Sequence, residues 1–309
     1  MIVTTAEWGY FFLIILTLLA LDLGVLSRNN EVISFKKSLA VSGFYIFIAC
    51  MFGVWIDHEF GSIRSSEYFT GFLLEKSMSV DNIFVISAIF SFFKIPQKYQ
   101  HRVLFWGILG VIVLRAIMIM SGAVLLQKFD WLLYVFAFIL IFTGIKMLIH
   151  INDRECHIEN SYLYKWLTKH LNVYNGFVGQ QFFVYQQGKI FVTPLFLALI
   201  TIETMDLIFA VDSIPAIFAV TQNVFIVYTS NIFAILGLRA LFFCISNLVE
   251  RFKYIKYSLA IILILIAVKI LVSHYIKISP YIPLFITITL LLMGFLASIM
   301  FDKKGRAEL

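Results

Sequence analysis

The sequence has few charged residues, and this shortage excludes a large soluble fold. Only 14% of the 309 residues are charged, whereas 61% are hydrophobic and the mean hydropathy is +0.94. Soluble domains have about a quarter of their residues charged. Long apolar runs separated by short polar breaks are instead typical of membrane-spanning helices.

Cysteine is also scarce, and the sequence has no CxxC pair. The three cysteines, Cys50, Cys156 and Cys244, are scattered along the chain. This arrangement predicts neither a disulfide framework nor a dithiol redox site. The first apolar run has no Lys or Arg before it and contains Asp22, which argues against a cleaved signal peptide.

The apolar runs predict an all-α fold, a polytopic transmembrane helical bundle of about nine spans. The whole chain, 1–309, is interpreted as a single integral membrane domain. Only the connection at about 150–192 is long and polar, and we expect it at the cytoplasmic surface of the membrane. The predicted spans are 8–27, 38–56, 68–93, 102–124, 131–149, 193–219, 225–248, 257–275 and 281–301.

Basic residues predict the orientation of the spans, because Lys and Arg are enriched in cytoplasmic loops. The loops placed outside contain only Arg64, Lys128 and Lys277. The loops placed inside contain Arg28, Lys36, Lys37, Lys94, Lys98, Arg102, Arg154, Lys165, Lys169, Lys189, Arg251, Lys253, Lys256, Lys303, Lys304 and Arg306. We therefore expect an external N-terminus and a cytoplasmic C-terminus. The net charge of +6 is interpreted as a topology signal, and no nucleic-acid partner is expected.

Three spans recur in the same order, which predicts an internal repeat. Charged residues and their neighbouring motifs repeat at separations of 131, 124 and 123 residues: Glu75 with Asp206, Arg115 with Arg239, and Lys146 with Lys269. Since each unit has an odd number of spans, the second unit must lie inverted in the membrane. The predicted units are about 68–149 (spans three to five) and about 193–275 (spans six to eight).

Six carboxylates fall within the predicted spans: Asp22, Glu75, Asp81, Glu203, Asp206 and Asp212. A charge near a helix centre costs roughly 2.5–3.5 kcal/mol, so each needs a partner or a function. Arg115, Arg239 and Lys269 are expected to balance part of this charge, while Lys76 and Lys146 are expected to snorkel to the outer and inner surfaces. Three cations cannot neutralise six acids. A bound cation, or its exchange with protons, is therefore favoured over purely structural ion pairing.

Helical spacing predicts that several oxygen ligands converge. Glu75, Ser79 and Asn82 fall on one helical face, and Ser213 falls beneath Asp206. An oxygen cluster of this kind suits a hard divalent cation such as Mn²⁺, Mg²⁺ or Ca²⁺. The histidines lie in loops or at span ends, which disfavours a zinc or copper pathway.

Pro215 and two methionines add further candidates. Pro215 removes the donor for the carbonyl of Val211, which becomes either a cation ligand or part of an ordinary proline kink. Met78 and Met205 lie among the acids. A thioether ligand would favour Mn²⁺ or Fe²⁺, although methionines in apolar helices more often serve packing.

The segments EKSMSVDNIFV, IETMDLIFAVDSIPAIFAVT, TSNIFAILGLRAL and ALDLGV resemble the TerC family of integral membrane proteins, nearest to its Alx-like branch. The resemblance implies divalent metal homeostasis, chiefly Mn²⁺ export across the bacterial cytoplasmic (inner) membrane, with links to tellurium resistance and alkaline response. It gives functional weight to the six acids named above. Met205 departs from the Ser or Thr frequent in similar sequences, so the metal preference of this chain could differ.

Two other functions stay open at this stage. One is transport of a different cation, by Ca²⁺ or Na⁺/H⁺ exchange in an alkaline response. The other is a non-transporting membrane subunit of a tellurite or metal stress complex. No enzyme is expected, because the GxGD and PAL motifs of intramembrane aspartyl proteases are absent. The expected partners are Mn²⁺ as cargo, protons as coupling ion and the lipid bilayer; no tightly bound cofactor is expected, and a homo-oligomer is compatible with the sequence.

Overall fold

The computed structural model describes residues 4–21, 35–129, 131–149, 162–174, 176–186, 188–245, 253–272, 279 and 281–305. Eleven helices and two strands occur in this part of the chain. Their bounds are α1 Thr5–Leu21, α2 Phe35–Phe60, α3 Ser62–Phe92, α4 Gln97–Lys128, α5 Leu132–Ile149, α6 Tyr162–His170, β1 Phe183–Gln186, β2 Lys189–Val192, α7 Pro194–Val220, α8 Val224–Leu236, α9 Leu238–Ile245, α10 Lys253–Val272 and α11 Tyr281–Gly305.

The predicted class, a bundle of transmembrane helices, is confirmed. Within the described residues, six helical segments are long and apolar enough to cross a membrane: Lys36–Phe60, Gln97–Lys128, Leu132–Ile149, Pro194–Val220, Val224–Cys244 and Tyr281–Ser298. Two shorter apolar helices are Thr5–Leu21 and Tyr257–Val272. The remaining long helix, α3, has 31 residues but includes several charged ones. The count of nine spans stays a prediction.

The long polar connection contains structure that the sequence interpretation did not include. Strands β1 and β2 form an antiparallel hairpin in which Phe183 pairs with Val192 and Gln186 with Lys189. Gly188 lies in the turn at a φ of 75°, a conformation that suits glycine. The hairpin leads directly into α7, whose entrance is held by Thr193: its amide donates to the carbonyl of Phe182 at 2.9 Å, and its hydroxyl to Gln181 at 2.8 Å.

Helix packing brings the two predicted repeat units against each other. Helix α3 packs on α7 and α8, helix α4 packs on the same two helices, and α5 packs on α10. These are the pairs that a two-fold relation between the units would bring together. The inverted repeat itself stays a prediction from the sequence.

An aromatic layer closes one membrane face of the bundle. It lies where α2 ends and α3 begins, and where α7 ends and α8 begins. The rings of Phe52 and Phe233 are 4.7 Å apart, and those of Trp8 and Phe225 are 5.1 Å apart. The layer consists of Trp8, Phe11, Phe52, Trp55, Tyr68, Phe225, Tyr228 and Phe233. Because the hairpin adjoins the opposite end of α7, we call the other side of the bundle the hairpin face.

The contact between α5 and α10 generates a test of this packing. A Cβ atom at Gly144 would lie 2.7 Å from Cγ1 of Ile264 and 2.9 Å from the carbonyl oxygen of Ala260. Main-chain atoms cannot swing aside, so we expect Gly144→Ala to lower the free energy of unfolding by about 1–3 kcal/mol. Thermal unfolding of the purified protein in detergent measures the change.

Gly43→Ala in α2 is the matched control. A Cβ there meets nothing within 4 Å, and alanine is the better helix former by about 0.5–1 kcal/mol. Equal effects of the two substitutions would contradict the close approach of α5 and α10.

Candidate functional site

Arg115 of α4 lies at the centre of the bundle and is only 1% exposed. Its Nη1 donates to Oε1 of Glu75 in α3 at 2.5 Å. Its Nη2 and Nε donate to the two carboxylate oxygens of Asp206 in α7, each at 3.2 Å. The guanidinium therefore bridges carboxylates from two helices, and its contact with Asp206 is bidentate.

Two neutral side chains complete this group. Nη1 of Arg115 also lies 3.1 Å from Oγ of Ser213 and 3.1 Å from Oδ1 of Asn231 in α8. The amide of Asn231 in turn donates to the second oxygen of Glu75 at 3.2 Å. We call these five residues the Arg115 cluster. Every member is buried and hydrogen-bonded, as a polar group inside a membrane protein must be.

Helical spacing explains how α7 contributes two members. Asp206 and Ser213 are seven residues apart, close to two full turns, so both face α4. Glu75 reaches the same guanidinium from α3. When both acids are ionised, one guanidinium between two carboxylates leaves a net negative charge. The cluster therefore attracts a further cation, either a proton or a metal ion.

A cleft of about 610 Å³ reaches the cluster from one side. Glu75, Arg115 and Ser213 lie at its inner end, and it continues along α3 past Met78 to Asn82. Helices α5 and α10 form its other wall. Because α3 runs from the aromatic layer towards the hairpin face, the cleft extends from the cluster towards the hairpin face.

A second, much smaller cavity lies on the other side of Asn82. Its volume is about 30 Å³, which is enough to hold a water molecule. Asp206, Met205, Gly107 and Arg239 are among its lining residues. Since Asn82 lines both spaces, its side chain lies at the boundary between the cleft and the smaller cavity.

Glu203 lies one turn before Asp206 but outside the Arg115 cluster. Its Oε2 atom is buried and has no hydrogen-bond partner among the described residues. The carboxyl group lies against α4, where a Cβ atom at Gly110 would overlap it and a Cβ at Gly107 would lie 3.9 Å from Oε1. The two glycines thus leave a groove in α4 that Glu203 occupies.

The two other residues expected to balance the buried acids, Arg239 and Lys269, have contacts outside the cluster. Nη1 of Arg239 lies 3.3 Å from Nδ1 of His101, and Nζ of Lys269 lies 3.5 Å from the carbonyl oxygen of Ala219. The geometry therefore gives the central role in charge balance to Arg115, while Arg239 lines the small cavity beside Asp206.

Several predicted ligands have other positions. The hydroxyl of Ser79 donates to the carbonyl of Glu75 in its own helix at 2.8 Å. Val211 is 50% exposed and α7 continues through Pro215 without ending, and the role of the Val211 carbonyl as a ligand stays a prediction. Met78 and Met205 line the cleft and the small cavity, respectively.

Three predicted acids fall outside the described part of the structure. They are Asp22 as a whole residue and the side chains of Asp81 and Asp212 in α3 and α7. In the part that is described, no three His, Cys, Asp or Glu side chains come together as a metal-binding group. The full ligand set therefore stays a prediction.

Sequence reasoning did not identify Asn231 or Gly110 as site residues. Asn231 could have been found as an amide within an apolar run, where a polar side chain needs a partner. Gly110 carries no chemical group, and its importance depends on which side chain of α7 lies opposite, which spacing within one helix does not reveal.

The buried guanidinium makes a quantitative prediction. Arg115→Gln leaves Glu75 and Asp206 facing each other without a cation, and removing one partner of a buried pair costs about 3–5 kcal/mol. Arg64→Gln is the control, because Arg64 pairs with Glu67 at 2.7 Å in a less buried place, where about 0–1 kcal/mol is expected. Thermal unfolding in detergent compares the two variants, and equal losses would contradict the central role of Arg115.

Comparison with known proteins agrees with the membrane fold. The chain is 59% identical over 293 residues to an uncharacterized membrane protein of Rickettsia bellii, covering 95% of this chain and 97% of that protein. It is 41% identical over 302 residues to the putative membrane-bound redox modulator Alx of Escherichia coli, covering 95% and 94% of the two chains. No solved structure matches it.

A family model gives the most general assignment. The model of the integral membrane protein TerC family matches residues 60–306, which contain the Arg115 cluster, Glu203 and both cavities. The match spans well over half of the chain, and the protein therefore belongs to the TerC family of integral membrane proteins.

Proposed function

We propose that this protein transports divalent metal ions, with Mn²⁺ export from the cytoplasm as its function. The observation that carries the proposal is the Arg115 cluster, in which two buried carboxylates share one guanidinium at the end of a cleft. Carboxylate, amide and hydroxyl oxygens are the ligands that Mn²⁺ and other hard cations prefer. A site between packed helices at mid-membrane depth is typical of transporters.

In this proposal a cation enters from the hairpin face, which the distribution of basic residues predicts to be cytoplasmic. It passes Met78 and Asn82 and reaches Glu75. Arg115 holds the carboxylates together in the absence of the ion, and the ion competes with the guanidinium for the same oxygens. Release on the other side would require the aromatic layer to open, and the cleft on the near side supports assigning this conformation to a state that faces the hairpin.

Mn²⁺ or Fe²⁺ is favoured over Mg²⁺ and Ca²⁺ by the methionines that lie near the cluster. Met78 and Met205 line the two spaces that adjoin it, and a thioether suits Mn²⁺ better than Mg²⁺ or Ca²⁺. The resemblance to metal-exporting members of the family points the same way. We place the protein in the bacterial inner membrane, with the N-terminus outside and the C-terminus in the cytoplasm.

A redox role is the second candidate, because relatives carry the name putative membrane-bound redox modulator. Cys50 in α2 and Cys244 in α9 form no disulfide within the described part of the chain. This arrangement favours an indirect route, in which metal export alters the redox state of the cell, over thiol chemistry in the protein itself.

Flux measurements test the proposal directly. Purified protein is reconstituted into liposomes, and entry of Mn²⁺ is followed with an internal dye. We expect Glu75→Gln to reduce the Mn²⁺ flux about tenfold or more, equal to about 1.4 kcal/mol, because the amide keeps the shape but lacks the charge. Glu59→Gln is the control, since the Glu59 side chain is 48% exposed at the end of α2.

The result also separates the alternatives. Passage of Ca²⁺ or Na⁺ without Mn²⁺ would keep the carboxylate pathway and replace the cargo. A correctly folded sample that moves no cation would overturn the transport proposal and favour a non-transporting subunit of a metal or tellurite stress complex.

Glu203 provides a test of proton coupling. Its buried oxygen without a partner is suited to carry a proton beside the cluster. We expect Glu203→Gln to move Mn²⁺ down its own gradient but to lose acceleration by an imposed pH gradient, because an amide cannot bind or release a proton. Asp57→Asn, at an exposed position of α2, is the control. A wild-type pH response in Glu203→Gln would assign the proton to another group.

A further inference from the structure

The helix that contains Asn231 is interrupted at Gly237, in the middle of a membrane span. Helix α8 ends at Leu236 and α9 begins at Leu238. The last carbonyl groups of a helix carry a partial negative charge and lack helical partners. Within a membrane such groups need a donor or a cation, and interrupted helices of transporters direct them at bound cations.

Lys76 supplies a cation at this interruption. Its Nζ atom donates to the carbonyl oxygen of Ala234, in the last turn of α8, at 3.1 Å. The sequence interpretation had Lys76 snorkelling to the outer surface, whereas the structure directs its ammonium group into the bundle. None of the ion pairs among the described residues involves Lys76, so its contact is with the helix end.

The surroundings of the ammonium group are shaped to admit it. A Cβ atom at Gly237 would lie 2.9 Å from Nζ of Lys76 and 3.3 Å from Cβ of Tyr45 in α2. The lack of a side chain at residue 237 therefore leaves room for the cation between α2 and the interruption. Lys76 also directly follows Glu75, so the helix end and the Arg115 cluster are joined through neighbouring residues of α3.

We propose that the interruption at Gly237 is a monovalent-cation site whose occupant is the Lys76 ammonium group. The tethered ammonium takes the place that a free co-ion takes at the interrupted helices of ion-driven transporters. The bundle then needs no Na⁺ or K⁺ to be stable. Removal of the ammonium leaves a site that accepts a small free cation.

A cation site differs from a simple hydrogen-bonding cap, in which any N–H donor would suffice. Two substitutions of Lys76 distinguish these two roles. Lys76→Gln keeps a long side chain with an N–H donor but removes the charge. Lys76→Ala removes the side chain and leaves space beside the Ala234 carbonyl. Ser77→Ala is the matched control on the same helix, because the hydroxyl of Ser77 donates to Leu73 of its own helix at 2.6 Å.

The experiment measures the midpoint of thermal unfolding in detergent for wild type and the three variants. Ammonium, methylammonium, Na⁺ or K⁺ chloride is titrated at constant ionic strength, with N-methylglucamine chloride as the replacement salt. We expect no cation dependence for wild type and Ser77→Ala. We expect Lys76→Ala to have a lower midpoint that at least one of the small cations raises in a saturable way, because a ligand that binds the folded state stabilises it.

If Lys76→Ala does not fold, the unfolding midpoint of Lys76→Gln tests whether the helix end requires a positive charge. A midpoint lowered relative to Ser77→Ala supports the cation site, since the donor is kept and only the charge is lost. A midpoint equal to that of wild type would overturn it, because a neutral donor would then suffice. Failure of every cation to raise the midpoint of folded Lys76→Ala would overturn it as well. The measurement involves no transport, so its outcome is independent of the proposed cargo.

Discussion

The bundle depends on one buried guanidinium. Arg115 of α4 holds together side chains from three other helices, α3, α7 and α8. Apolar side chains cannot hold these helices in register by hydrophobic attraction, because lipid is as apolar as they are. A directional, charge-assisted network therefore has a larger share of the task here than in a soluble core. The same network keeps the acids close enough to bind one ion, as the proposed function requires.

The two sides of the Arg115 cluster have different surroundings, so the bundle is asymmetric between its two membrane faces. On one side a cleft reaches Glu75 and Arg115, whereas on the other the aromatic layer is tightly packed. The rings of Phe52 and Phe233 are in contact within that layer. In the proposed transport the protein alternates between two such states, and the packed aromatic rings are a barrier that must separate as a group.

The helical fold and the family could be predicted from the sequence, because long apolar runs and the acidic motifs are properties of single segments. Glu75 and Asp206 were also found from their spacing, although their role as metal ligands stays a prediction. The positions of Lys76 and Asn231 could not be predicted, since they depend on which helices touch and at what height. Gly110 and Gly237 allow side chains of neighbouring helices to approach closely. This effect appears only when the facing side chain is known. The hairpin was missed because its two strands are only four residues each.

The hydrogen bonds of Thr193 to Gln181 and Phe182 fasten the entrance of α7 to the surface segment before the hairpin. Glu203, Asp206 and Ser213 lie further along that same helix. The hairpin is therefore mechanically coupled to these carboxylates, because a tilt or an axial shift of α7 that alters the proposed ion site also displaces the hairpin. Exposed Tyr185 in β1 would move with the hairpin, so a conformational change in the proposed transport cycle would alter the environment of this ring.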